Sequence, residues 1–302
     1  MELNTLLQYK PYSTARPEKR ALYAGLLTGL TQFHRERCPE YGRLLDALGC
    51  PDHMDCTVEN TPMLPVSLFK ELELRSIPEG EVFKTLTSSG TTGQRVSRIF
   101  LDGATSACQQ QALCQIMSDF LGERRLPFLV LDSRQVLRNR AMFSARGAGI
   151  LGFSIFGTRP CYALDEHMEL DLDGVRAFLE EHQGETIFLF GFTFMIWKHV
   201  VRALEERGER LDIPNGILVH GGGWKKLAGE AVSPGEFKAR VAAATGVERV
   251  SNYYGMAEQT GCIYMECPHG HLHASLWSDI VVRRWRDYRP CEPGEEGVLQ
   301  VL

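Results

Sequence analysis

Gly216-Ile217-Leu218-Val219-His220-Gly221-Gly222-Gly223 reads as a short apolar strand that runs directly into three glycines. An apolar run of this length, closed by glycine, fits a buried strand better than a helix. Upstream, Thr186 to Phe190 repeats the pattern, and Trp197 to Arg207 between the two has helical character. Downstream, Ser233-Pro234-Gly235-Glu236 has the spacing of a capping box with proline at the first helical position, and predicts a helix ending near Gly246. Further upstream, Ala104 to Phe120 reads as helix, Leu126 to Leu131 as strand and Leu172 to His182 as helix. Strands alternating with helices predict an α/β fold, a mostly parallel sheet covered by helices on both faces.

The N-terminal part has a different texture. Residues 18 to 48 read as helix, with Leu22, Leu26, Leu30, Phe33 and Tyr41 close to one buried stripe, and Pro39 is expected to break it. A connector holding Pro62, Pro65 and Pro78 follows. Glu81 to Ser88 and Val96 to Leu101 read as strands that answer each other. These features predict a helical region over 1–80 and an α/β core over 81–302. The last residues, Gly297 to Leu302, read as a strand that simply stops, as expected of a fragment or a trimmed chain.

Composition sets outer bounds. The 302 residues are 44% apolar and 24% charged with a net charge of −5, which fits a soluble globular chain. The densest basic points, Lys225-Lys226 and Arg283-Arg284-Trp285-Arg286, are too small for a nucleic-acid footprint. No run approaches the roughly 18 apolar residues of a membrane span. Nine cysteines at irregular spacing, with no export signal, predict reduced thiols and a cytoplasmic protein.

Three segments carry candidate chemistry. Ser88-Ser89-Gly90-Thr91-Thr92-Gly93-Gln94-Arg95 is too polar and glycine-rich for helix or strand. Successive backbone N–H groups in such a turn can converge on an anion, and the hydroxyls of Ser88, Ser89, Thr91 and Thr92 add donors. It lacks the Gly-Lys-Ser/Thr ending of a Walker A loop, and a plain polar hairpin is the competing reading. In Asn252-Tyr253-Tyr254-Gly255-Met256-Ala257-Glu258, an aromatic ring beside glycine offers a flat face to a purine, and Glu258 a carboxylate for Mg²⁺. The alternative is that the tyrosines belong to core and rim. The third segment, His220 to Lys225, follows a strand, where open α/β sheets bind ligands; an ordinary glycine turn is the alternative. Cys262, Cys267, His269, His271 and His273 are dense enough to raise a zinc site, but their spacing fits no common finger. A Ser/His/Asp hydrolase is disfavoured because no Gly-x-Ser-x-Gly elbow is present.

Taken in order, these segments resemble the adenylate-forming superfamily. The resemblance sharpens to the LuxE-type acyl-protein synthetases, relatives of the phenylacetate-CoA ligases. It rests on Pro65 to Lys70, Phe83 to Gly93, Gly191 to Trp197, Gly222 to Lys226 and Tyr253 to Thr260, and spans roughly residues 35 to 302. The resemblance implies the superfamily's N-terminal domain, a nucleotide- and acyl-binding core over 81–302, with the mobile C-terminal domain absent from this chain. It implies ATP and Mg²⁺ as cofactors and a carboxylic acid, a fatty acid in this family, as substrate. Ser88, Ser89, Gly90, Thr91, Thr92 and Gly93 would clasp the triphosphate. Tyr254 would stack on adenine beside Asn252, Tyr253 and Gly255, with Gly221, Gly222 and Gly223 along its edge. Glu258 would hold Mg²⁺, and Gly191 and Phe192 would line the acyl pocket. The acyl group would pass from acyl-AMP to a thiol, and in this family onward to a reductase; an acyl carrier is another expected partner.

The chain departs from the superfamily's pattern at two visible places. Ala257 stands where many members carry Thr or Ser, and Gln94-Arg95 where a Lys is common; Arg95 or Arg98 could supply that charge. The ribose-binding Asp, the C-terminal catalytic Lys and the acylated cysteine of this family are expected beyond residue 302. An acyl- or aryl-CoA ligase and a catalytically incomplete nucleotide-binding module are the alternatives.

Overall fold

The computed structural model describes residues 6–88, 95–137 and 145–302. The chain forms two compact units, and neither is continuous in sequence. One comprises 1–116, 255–263 and 274–302, the other 117–254 and 264–273. This differs from the expected division at residue 80. The N-terminal helices and the C-terminal strands belong to the same unit, joined by contacts that no local pattern announces.

In the first unit, helix α1 (Arg16–Arg37) and helix α2 (Pro39–Ala47) meet at Cys38, which is extended with φ −121° and ψ 97°. The ring of Pro39 disfavours helical backbone at the preceding residue, so the helix must end there. Strands β1 (Lys84–Thr87) and β2 (Arg98–Leu101) pair antiparallel, with Lys84 opposite Leu101 and Thr87 opposite Arg98. Helix α3 (Gly103–Leu121) follows, with residues 103–116 in this unit and 117–121 in the other. A second antiparallel pair, Ile280–Arg283 with Val298–Val301, lies near the chain's end. Tyr23, Val58 and Val281 form a small core with Leu27 and Leu302 against it. Polar contacts reinforce it: the Tyr23 hydroxyl donates to the Leu276 carbonyl at 2.9 Å, and the Trp277 indole N–H to the Leu6 carbonyl at 3.0 Å.

The second unit is a doubly wound sheet. Its strands are β3 (Leu126–Ser133), β4 (Gly157–Leu164), β5 (Ile187–Phe192), β6 (Gly216–Gly221), β7 (Arg249–Tyr254), β8 (Tyr264–Glu266) and β9 (Leu272–His273), in spatial order β4-β3-β5-β6-β7-β8-β9. The pairs from β4 through β7 are parallel, and β8 and β9 add an antiparallel edge. From β3 the chain goes outward to β4, then crosses back to β5 on the other side. That reversal is the topological switch point of an open α/β sheet, and ligands bind beyond the carboxyl ends of such strands.

Every residue of β5 and of β6 is buried, as expected of strands covered on both faces. On one face Phe188 stacks on Phe128 at 4.9 Å, and Phe190 on Phe153 at 4.3 Å. Phe153 ends helix α4 (Ala145–Phe153). Each such buried ring contributes about 1.5–3 kcal/mol relative to exposure. Helix α5 (Leu172–Glu181) is capped by Asp171, whose carboxylate accepts the Gly174 N–H at 3.0 Å. Residues 193–207 form one helical run: α-helical Thr193–Ile196, a π turn over Trp197–Val201, then α-helical Arg202–Arg207. Helix α6 (Pro234–Thr245) starts as its capping box predicts, with Ser233 Oγ accepting the Glu236 N–H at 3.1 Å, and ends at Gly246 with φ 74°. It packs on the sheet face opposite Phe153, where Phe237 meets His220 at 4.6 Å and Trp197 at 6.2 Å.

Candidate functional site

Three of the sequence segments lie side by side at the carboxyl ends of adjacent parallel strands. In register, Gly191 faces His220, Phe192 faces Gly221, His220 faces Asn252 and Gly221 faces Tyr253. Segments about thirty residues apart in sequence thus share one rim of the sheet.

The glycines on this rim have separate reasons to be glycine. A Cβ on Gly191 would fall 2.9 Å from Leu131 Cβ, and one on Gly221 would fall 2.5 Å from the Tyr253 ring. Gly222 has φ 77°, and its missing Cβ would fall 2.8 Å from the Phe192 ring. Around Gly223 no atom of the described residues beyond its chain neighbours lies within 4 Å of that position. The first three glycines are therefore set by packing and backbone, and Gly223 borders open space. Gly221→Ala is expected to lower stability by about 1–3 kcal/mol through overpacking. Gly223→Ala should stay within about 0.5 kcal/mol of the parent. Urea denaturation of the two variants checks the contrast.

Strand alternation separates the two tyrosines. Tyr253 points inward, with ring centroids 5.1 Å from Phe153 and 6.2 Å from Phe190, and burial pushes its phenol well above the usual tyrosine range. Tyr254 points outward, is 41% exposed, and meets Tyr264 at 6.1 Å. Tyr254 is the more exposed of the two rings; Tyr253 is partly exposed and packs against the core. Asn252 is held from below, where the buried Glu266 carboxylate accepts its backbone N–H at 2.8 Å and pairs with Lys238 at 3.0 Å.

His220 and Thr193, which lie in segments the sequence marks but receive no role there, form a further buried polar group. The Thr193 hydroxyl lies 3.0 Å from His220 Nδ1 and 3.2 Å from the Gly221 carbonyl oxygen. Burial first, and the Lys238 charge second, pull His220 down to about 3, so its ring is neutral in ordinary buffers. At the end of β3, Asp132 is fully buried and pairs with Arg146 at 3.0 Å. Desolvation pushes its carboxyl above the usual range despite that partner.

Of the remaining predicted residues, Ser88, Arg95, Arg98 and Glu258 belong to the first unit, and Cys267 to His273 to the second. Ser88 closes the mouth of the β1–β2 hairpin: its hydroxyl oxygen accepts the Ser97 N–H at 3.0 Å, and its own N–H donates to the Ser97 carbonyl at 3.2 Å. Ser89, Gly90, Thr91, Thr92 and Gly93 lie outside the described residues. Arg95 and Arg98 pair with Glu71 at 3.0 Å and Glu73 at 3.5 Å. Glu258 is half-buried in the turn after the exposed Gly255, and it enters no ion pair among the described residues. A half-buried carboxylate without a cationic partner is chemically suited to a hydrated divalent ion, which keeps several waters and takes one or two carboxylates. In the Cys/His segment, Cys267 donates its N–H to the His271 carbonyl at 2.9 Å, closing a tight turn. Among the described residues no three His, Cys, Asp or Glu side chains gather as a metal site.

The family model for the acyl-protein synthetases, LuxE, matches residues 2–302. A long-chain-fatty-acid–luciferin-component ligase of Vibrio harveyi is 20% identical over 301 residues, which are 97% of this chain and 77% of that protein. Among solved structures, 2-hydroxyisobutyryl-CoA ligase with 2-HIB-AMP and CoA superposes with a TM-score of 0.67 at 18% identity, over 96% of this chain and 61% of that one. The same ligase in its postadenylation state gives a TM-score of 0.61 at 15% identity, over 97% and 60%. The chain therefore has the fold of this ligase but spans only about three-fifths of its length. With the family model covering nearly every residue, the chain belongs to the LuxE acyl-protein synthetase family.

Proposed function

We propose that this chain binds ATP and a carboxylic acid, a fatty acid above all, and forms the acyl-adenylate that is then transferred to a thiol. The observation that carries this reading is the rim at the ends of β5, β6 and β7. There Phe192, Gly221 and Tyr253 are matched in register, the exposed Tyr254 ring follows one residue later, and the open position at Gly223 lies two residues past Gly221. Adenine would stack on Tyr254 with its edge along Gly221 to Gly223, beside Asn252 and Gly255, while Gly191 and Phe192 border the acid. Ser88 to Gly93 would bind the phosphates. Ser88 keeps a hydroxyl proton to donate, because its oxygen, not its proton, serves Ser97. Glu258 would hold Mg²⁺, which when bound supplies charge neutralisation at the phosphates.

In the reaction, a substrate carboxylate oxygen bonds to the α-phosphorus as the bond to the bridging oxygen breaks, and pyrophosphate leaves. A thiolate then attacks the acyl carbonyl and AMP departs. A substrate carboxylate, already ionised near neutral pH, needs no general base for the first step. Catalysis at that step rests on holding the two reactants in line. The Vibrio harveyi relative supports a long-chain fatty acid, and a reductase or an acyl carrier would receive the acyl group. The CoA-bound ligase neighbour favours one second reading, with CoA as the thiol. The nine free cysteines fit a cytoplasmic setting, and among the described residues no helix is long and apolar enough to cross a membrane.

The test is pyrophosphate–ATP exchange by the full-length gene product across fatty and aryl acids, with and without CoA. Exchange that depends on a fatty acid supports the proposal, and acyl-CoA formed on adding CoA moves it to the second reading. Silence with every acid would sink both. Tyr254→Ala should weaken ATP binding roughly tenfold to hundredfold, the worth of one base–aromatic stack, while Tyr254→Phe stays near the parent. Calorimetric titration reads the difference.

A further inference from the structure

A run of three glycines leaves β6, and glycine has the widest backbone freedom of any residue. Nothing in its own sequence fixes the direction of such a turn, so the direction must be imposed by neighbours. Two consecutive residues of the adjacent strand end impose it. Phe192 packs its ring where a Cβ of Gly222 would stand, and Thr193 reaches the Gly221 carbonyl with its hydroxyl.

The hydrogen-bond chemistry has one consistent direction. A carbonyl oxygen only accepts, so Thr193 serves Gly221 by donating its single proton. Thr193 Oγ1 then meets His220 Nδ1 as an acceptor, which requires the imidazole proton on Nδ1. Nε2 is left bare, and it is buried without a partner among the described residues. The reverse direction leaves Nε2 unpartnered as well, and in addition would give the Gly221 carbonyl no proton from Thr193. Because His220 stays neutral until about pH 3, the relay holds its direction across working pH.

We propose that Thr193 is a positioning residue: the relay from His220 Nδ1–H to Thr193 Oγ1–H to the Gly221 carbonyl sets how the Gly221–Gly223 turn leaves β6 and ties that turn to the Phe192 wall. This rests on the nucleotide reading above. It deepens that reading, because one residue then links the segment that borders the acid to the segment that borders adenine, and a disturbance at either reaches the other. The helix that Thr193 opens is anchored at its π turn, where Trp197 packs on Phe237 and Arg240 stacks on Trp197 at 4.2 Å. The hydroxyl is therefore presented from a fixed base.

The test uses Thr193→Val, which removes the hydroxyl at constant shape, and Thr193→Ser, which keeps it. Histidine ¹⁵N chemical shifts should report the Nδ1–H tautomer at His220 in the parent and in Thr193→Ser. ATP affinity by calorimetry should fall about tenfold in Thr193→Val and return in Thr193→Ser, the range of one buried hydrogen bond. A parent His220 carrying its proton on Nε2, or a Thr193→Val variant that binds ATP like the parent, would overturn the relay. Failure of the parent itself to bind ATP would instead overturn the nucleotide reading on which the proposal stands.

Discussion

Replacing Lys19 by methionine should destabilise the protein by about 3–5 kcal/mol, the usual cost of leaving one member of a buried ion pair without its partner. Lys19 is only 8% exposed. Its ammonium donates to the Ser275 carbonyl at 2.8 Å and the Ser278 carbonyl at 2.5 Å, and lies 3.8 Å from Asp279 Oδ2. Burial lowers its pKa, with Asp279 acting in the opposite direction. Among the described residues Asp279 Oδ2 is buried without a hydrogen-bond partner, and Lys19 is the charge that offsets it. Methionine fills the same stem volume but strands the carboxylate and two carbonyls. Lys19→Met combined with Asp279→Leu removes both charges, and should recover more than half of the loss. The rest reflects the two carbonyls, at about 1 kcal/mol each. Urea denaturation of the single and double variants decides it; a single variant within about 1 kcal/mol of the parent would show that Lys19 is not what joins helix α1 to residues 275–279.

That contact also explains why the division of the chain was illegible in the sequence. Nothing around Lys19 or Asp279 marks them as partners, since a lysine early in a helix reads as a solvated charge. The strands β5 and β6 were legible because they are apolar runs bounded by glycine, and the start of helix α6 because Ser233, Pro234 and Glu236 are spaced as a cap. Strand β4 was not read, because Arg159 and Pro160 interrupt it; a sheet edge tolerates a proline that a central strand would not. Strand β7 begins Arg249-Val250-Ser251-Asn252, too polar to stand out, and only its place beside β6 makes it a strand.

The site was legible in parts. Its segments are local patterns, and residue chemistry alone marks them out, but their adjacency is a property of register between strands. The sequence offered two neighbouring tyrosines and no means of choosing; the pleat of β7 turns Tyr253 into the core and Tyr254 outward. The roles of Thr193 and His220, both inside marked segments, were unread for a related reason. A threonine at a helix start and a histidine inside an apolar strand are ordinary residues until the parallel pairing of β5 and β6 brings their side chains within hydrogen-bond reach.

Glu258→Gln should reduce acid-dependent pyrophosphate exchange at least about 100-fold, the scale on which the loss of one preorganised electrostatic contact lowers turnover. The turn that carries Glu258 is fixed from both sides within its unit. The Gln259 amide donates to the Leu302 carbonyl at 3.0 Å, and Gly261, at φ 96°, has its missing Cβ 3.6 Å from the Gln109 backbone. The carboxylate itself is half-buried and unpaired among the described residues, so the amide should leave stability within about 0.5 kcal/mol of the parent. Glutamine preserves size and hydrogen bonding but not charge, and a neutral amide is a poor ligand for a hard cation. The loss should therefore appear as a raised Mg²⁺ requirement for exchange, with ATP binding in chelator unchanged, and Glu258→Asp should fall between the two. Exchange by Glu258→Gln within about twofold of the parent at every Mg²⁺ concentration would remove Glu258 from the metal role and leave phosphate neutralisation to the Ser88–Gly93 loop and other groups.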